Sequence, residues 1–235
     1  MPKNKTPRFY FSLRSPYSWL AYREITTFHP DLVEQLEWVP FFEPDELSAR
    51  LLTEQGGRFP YSAMSREKNR YVLQDIGRIT KARGLSVTWP VDREPVWEVP
   101  HLAYLVAARH GRGHDFIDAV YRARFGRGRD ICDPATIEDV AFEIGLEPRE
   151  LARASDVPEV RAEGIRILLD VCRDGVFGVP FFVHGFSRFW GIDRLDDFVA
   201  HLREREVPAG FVPEPLTAVG LGARATEDAH AGGCG

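Results

Sequence analysis

Residues 8–13 read RFYFSL, an alternation that puts Phe9 and Phe11 on one side and Tyr10 and Ser12 on the other, which predicts a strand. After Pro16 the apolar positions Tyr17, Leu20, Ala21, Ile25 and Phe28 recur at helical spacing, and His29-Pro30 closes the segment. Residues 36–42 (LEWVPFF) form a short β-branched and aromatic run and predict a second strand. Pro40 places that strand near an edge or interrupts its pairing. From Glu43 to about Asp174 the period turns helical. One stripe is Val72, Leu73, Ile76 and Ile79, and a second is Leu102, Leu105 and Val106. A third helix opens on Asp133-Pro134 and stops at Gly145, and a fourth carries Ile165, Leu168, Leu169 and Cys172. VPFFVHG and FSRFWG then predict a hairpin. A final helix starts at Asp193, with Leu195, Phe198, Val199 and Leu202 on its buried face.

The order is strand, helix, strand, a long helical block, then hairpin and helix. A βαβ unit followed after an interval by ββα is the thioredoxin arrangement, an α/β fold, here interrupted by an all-helical insertion. Long excursions add little closure entropy, so the sheet tolerates one. The implied division is a first thioredoxin-like part over 7–43, the insertion over 44–174, a second thioredoxin-like part over 175–207, and a Gly- and Pro-rich flexible tail over 208–235.

Charge and composition narrow the function. The net charge of -5 argues against a nucleic-acid binder held by phosphate contacts, and the basic runs SREKNR and RARFGRGR read as solvated faces or loops. No apolar run approaches the ~20 residues of a membrane span, and no secretory signal is visible at the amino terminus. Cys132, Cys172 and Cys234 are isolated, which gives no disulfide framework and suits a reducing, cytoplasmic setting. The spacings of His101, His110 and His114 match no compact metal motif, so no metal is assigned.

The first strand–helix junction carries the candidate chemistry. In thioredoxin-type redox proteins it reads Cys-Pro-Tyr-Cys; here it reads Ser15-Pro16-Tyr17-Ser18, and two serines form no disulfide. Ser15 as N-cap and Pro16 at the first helical position make a sound helix start, and that is one reading. The other is that free N–H groups, the positive helix end and a hydroxyl together hold an anion such as a small-molecule thiolate. Val179-Pro180 falls where this fold places a cis-proline facing that helix end, which turns the Val179 backbone outward to pair with a peptide-like ligand. Asp193 caps the last helix and is placed to hold an ammonium group. Trp97 and His101 lie in the segment expected to roof the site, as pocket walls or as core, and Tyr17 belongs to the same expected substrate pocket.

The segments RFYFSLRSPYSWLA and RDGVFGVPFFVHGFSRFWGIDRLDDF resemble the two signature ends of the 2-hydroxychromene-2-carboxylate isomerase and kappa-class glutathione transferase group, on the DsbA-like branch of the thioredoxin fold. The resemblance spans about residues 8–203. It implies that Ser15 contacts and activates a glutathione sulfur, that the backbone of Val179 before Pro180 clamps the cysteinyl part, and that Asp193 receives the γ-glutamyl amino group. It further implies glutathione or another low-molecular-weight thiol as cofactor, a small conjugated or aromatic substrate, and a homodimer. Two positions depart from the group: Ile192 stands where Asn or Ser is usual, and the stretch REPVWEVPHLAYL lacks an asparagine usual at the substrate mouth.

Overall fold

Phe9, Tyr10 and Phe11 are all fully buried because β1 (Arg8–Phe11) runs through the middle of a four-stranded sheet. The computed structural model describes residues 6–60 and 64–206; the tail predicted over 208–235, with Cys234, lies outside the described residues. Strand order is β2–β1–β3–β4. β2 (Glu37–Pro40) pairs parallel to β1, while β3 (Phe181–His184) is antiparallel to β1 and β4 (Ser187–Trp190) is antiparallel to β3. A central strand is covered on both faces, so it carries bulky apolar side chains on both. Pro40 lies on an edge strand, where a missing N–H is tolerated.

α1 (Pro16–Phe28) follows β1, and a single turn, α2 (Pro30–Val33), leads to β2. Between β2 and β3 lie α3 (Glu46–Glu54), α4 (Arg66–Ala82), α5 (Glu98–Arg109), α6 (Gly113–Tyr121), α7 (Pro134–Glu143), α8 (Pro148–Ala152) and α9 (Pro158–Asp174). Gly175 ends α9 in the left-handed conformation, at φ 68°, that lacks a Cβ penalty. The chain closes with α10 (Leu195–Glu206). The expected start of this helix at Asp193 is corrected. Gly191, at φ 100°, turns the chain out of β4, and a 3-10 turn over Ile192–Arg194 intervenes before buried Leu195. Asp193 is therefore no N-cap of α10.

Phe9 stacks on Phe182 and Phe182 on Phe198, which fixes α10 to one sheet face. Tyr10, Phe181 and Val183 face the other way, against Val171 and Val176. α5 is buried on all sides from Glu98 to Ala107, as befits the central helix of the insertion. Tyr104 on it meets Phe11 edge-on at 5.2 Å, so sheet and insertion share one core. Burying each such aromatic ring stabilises the fold by about 1.5–3 kcal/mol. Among the described residues no helix is long and apolar enough to cross a membrane.

Candidate active site

Four chain segments meet at the end of the sheet where β1 stops. Phe41 N–H donates to Phe11 C=O at 2.7 Å, so the chain leaving β2 exits beside the β1–α1 turn. β3 enters at the same end, since Phe181 lies opposite Tyr10. β4 finishes there opposite Phe181, and Gly191 N–H donates to Pro180 C=O at 3.0 Å. The 3-10 turn after it packs against α1. The topology thus gathers Ser15, Val179-Pro180 and Asp193, which are far apart in sequence, at one end of one sheet.

The turn between Phe11 and Pro16 is held from within and from below. Ser15 is the N-cap of α1 in extended conformation, its Oγ accepting from Ser18 N–H at 3.2 Å. Pro16 fills the first helical position, and the first turn holds no acidic residue. Ser18, at the second sulfur position of the frame, is fully buried, and its Oγ accepts from Ser12 N–H at 3.2 Å. The two hydroxyls therefore differ in role: Ser18 is structural, and Ser15 stands half-buried at the positive end of a 13-residue helix. From below, His101 Nε2 accepts from Leu13 N–H at 3.0 Å, and Ser12 Oγ lies 3.2 Å from the same nitrogen. Nδ1 then carries the proton and donates to Trp97 C=O at 2.7 Å. Tyr121 O–H donates to Ser12 C=O at 3.0 Å. Burial, with Arg124 and Arg14 adding to it, depresses the His101 pKa to about 3, so the ring stays neutral.

His101 is thus enclosed beneath the turn and does not face the space expected of a pocket residue. Trp97 is also enclosed, with the Arg14 guanidinium 4.9 Å and the Arg124 guanidinium 5.3 Å from its ring centre. Tyr17 lies half-buried, its hydroxyl donating to Asp75 Oδ2 at 2.7 Å, which ties α1 to α4; burial and that carboxylate push its phenol pKa up. Val179-Pro180 is a cis peptide, with Val179 half-buried and Pro180 buried. Asp193 is exposed beside Arg194 at 3.5 Å, and its Oδ1 lies over the Cα of Gly191 where a Cβ would collide.

Sequence reasoning misses Arg14, Glu98 and Arg124. Arg14 forms an ion pair with Glu43 at 3.1 Å. Arg124 corrects the reading of RARFGRGR as a solvated run. A π-helical turn over Arg122–Gly126 winds Ala123, Arg124 and Phe125 all inward. The buried guanidinium makes two bonds to Asp92, at 2.7 and 2.8 Å, and reaches the Arg14 carbonyl at 3.3 Å. Ala and Phe flanking a single arginine were the available signal. Glu98, at the start of an apolar helix, looks like an ordinary helix-end charge, yet it is fully buried. Among the described residues, no group of three or more His, Cys, Asp or Glu side chains is arranged to hold a metal.

Comparisons with known proteins agree with this architecture. The chain is 27% identical over 203 residues to the 2-hydroxychromene-2-carboxylate isomerase of Sphingobium xenophagum, covering 84% of this chain and 98% of that one. Among solved structures, a 2-hydroxychromene-2-carboxylate isomerase superposes with a TM-score of 0.64 at 19% identity, covering 85% of this chain and 95% of that one. A probable DsbA oxidoreductase from Streptomyces coelicolor gives 0.61 at 17% identity, covering 88% and 94%. These distant structures speak to the fold alone. A model of the DsbA-like thioredoxin domain matches residues 8–203, and the chain belongs to that family.

Proposed function

We propose that this protein is an isomerase of the 2-hydroxychromene-2-carboxylate isomerase type, or a related transferase, that acts on a small conjugated or aromatic molecule with the help of glutathione or another low-molecular-weight thiol. The observation that carries the reading is Ser15: a hydroxyl capping α1 at the sheet end where Val179-Pro180 and Asp193 also lie. The residues present fit such a thiol. The helix end with no acidic first-turn residue suits a thiolate, the half-buried Val179 backbone suits a peptide-like chain, and the exposed Asp193 carboxylate suits an ammonium group. Ile192 gives that end one polar contact fewer than a polar residue would.

When bound, the thiol supplies a nucleophile that adds reversibly to a conjugated double bond. The protein supplies position and charge stabilisation. Ser15 Oγ already accepts from Ser18 N–H, so its own proton is the one left to donate toward an anion. The α1 dipole adds a favourable field at the same point. The turn is pinned by His101, Ser18 and Tyr121, so these donors need no rearrangement when an anion arrives. Among the described residues no side chain is bonded to Ser15 as a general base would be, and we read Ser15 accordingly as a donor and not a nucleophile. Dithiol–disulfide exchange is disfavoured, since the frame has oxygen at both sulfur positions.

Calorimetric titration with glutathione and other small thiols tests this reading. Wild type binds one of them, and Ser15→Ala weakens binding by about tenfold, the worth of one hydrogen bond to a charged group. Ser15→Asp separates capping from binding. Aspartate caps as well as serine, so the fold holds while the added charge repels the anion. Failure of every thiol to bind wild type contradicts the proposal.

A further inference from the structure

Tyr121 and Arg124 stand three residues apart where α6 ends, and both send a donor to the turn that carries Ser15. Tyr121 O–H donates to Ser12 C=O at 3.0 Å, and Arg124 Nε–H donates to Arg14 C=O at 3.3 Å. Ser15 N–H donates to the same Ser12 carbonyl at 3.0 Å. The peptide unit between Arg14 and Ser15 is therefore held at both ends, its oxygen by Arg124 and its N–H by Ser12. That unit leads into the Ser15 backbone, which sets the direction of the hydroxyl. The π-helical turn over Arg122–Gly126 makes the arrangement possible. A wider turn rotates less per residue, so Ala123, Arg124 and Phe125 all face inward.

A buried ion pair is a poor way to gain stability, because desolvation takes back most of the attraction. The orientation of this one is the informative feature. The Asp92 carboxylate binds Nη1 and Nη2, at 2.7 and 2.8 Å, on the side of the guanidinium opposite Nε. The pair is thus a dipole whose positive end touches the Arg14–Ser15 peptide. Arg124 is 4% exposed and Asp92 24%, so solvent screens the negative end more than the positive one. The other titratable groups around Arg124 leave that field in place. Burial depresses the His101 pKa to about 3, pushes the Cys132 thiol up to about 12 and raises the Tyr121 phenol, so all three are neutral. Asp130 accepts from Cys132 N–H at 2.9 Å. The Arg14 side chain pairs with Glu43 at the surface, where charges count for less.

We propose that Arg124 is a positioning residue for the Ser15 site, which it serves by aiming the positive end of its pair with Asp92 at an anion held there. The proposal rests on the reading of Ser15 as the thiol end of the site and names the buried pair that tunes it. Arg124 lies beneath the turn and acts across one peptide unit. Its field adds to that of the α1 dipole at the same point, and the bonds that fix the guanidinium keep it aimed before any ligand arrives. Removing the guanidinium disfavours a thiolate at Ser15, and removing the Asp92 charge favours one.

The test places the sulfur on the chain and needs no added thiol. Ser15→Cys puts a thiol at the capping position of the full-length protein, and the pH dependence of its alkylation by iodoacetamide reads its ionisation. Mass spectrometry of the peptide containing residue 15 separates it from Cys132, Cys172 and Cys234. This thiol ionises below the ordinary cysteine value of about 8.5. Adding Arg124→Met raises its pKa by about one unit, the effect of losing a nearby opposite charge. Adding Asp92→Asn instead lowers it by about half a unit. The opposite signs separate tuning from stability, since both substitutions break the same ion pair and loosen the fold alike. Shifts of the same sign, or none, overturn the proposal. Should Arg124→Met fail to fold, Asp92→Asn decides alone: a lowered pKa supports the proposal, and an unchanged or raised one overturns it. Opposite shifts without glutathione binding to wild type remove the thiol reading alone, and glutathione binding without opposite shifts removes this inference alone.

Discussion

The sheet layer and the helical insertion hold their polar groups in different ways. In the layer, the bonds that shape the turn are local: Ser15 to Ser18, three residues apart, and Ser18 to Ser12, six apart. In the insertion they reach across the chain. His101 bonds a backbone group 88 residues away, Tyr121 one 109 residues away, and Arg124 one 110 residues away. The local set makes the turn; the distant set makes it stiff. A capped helix end alone would fray, and the buried polar groups beneath it oppose that.

That contrast predicts where substitutions hurt most. Arg124→Leu breaks a buried two-bond pair and leaves Asp92 without its partner. It should cost roughly 3 kcal/mol of stability in urea unfolding. Glu143→Gln removes the exposed partner of Arg122 in the same basic run and should cost less than about 1 kcal/mol. Equal losses from the two would erase the distinction between buried and solvated arginines.

His101 gives the next largest effect, through pH. Its folded-state pKa of about 3 lies below the ordinary histidine value of about 6.5, so the unfolded chain takes up the proton first. Its contribution is complete above pH 6.5 and falls as the pH drops from there toward 3, by up to about 1.4 kcal/mol per unit. Melting curves at pH 7 and pH 5 should therefore differ more in wild type than in His101→Gln. A difference unchanged by the substitution would mean that other groups set the acid sensitivity. Tyr17→Phe is a milder probe than either buried group. It removes only the bond to Asp75 between α1 and α4 and should cost about 1 kcal/mol by thermal unfolding. A much larger loss would show that this single seam, and not the turn, holds α1 in place.

The same contrast explains what the chain reveals of itself. Strands and helices with one buried face were readable from period, down to Gly145 just past the end of α7 and Pro40 on an edge strand. The Ser15 cap was readable because a cap is a local device. Asp193 was misplaced by one 3-10 turn, since a glycine-driven exit from a strand leaves no periodic mark. Glu98, Arg124 and the enclosed position of His101 were not readable. A charged or polar residue becomes a buried one only through a partner elsewhere in the chain, and no single stretch of sequence contains both members of Arg124–Asp92 or His101–Leu13.

The central claim is that the Ser15 end of α1 stabilises a small-molecule thiolate. The ultraviolet absorbance of the thiolate, followed against pH for glutathione bound to the protein, measures it directly. The account predicts a bound thiol that ionises at lower pH than free glutathione, with the difference reduced in Ser15→Ala. A bound thiol that titrates like the free one in wild type would contradict it.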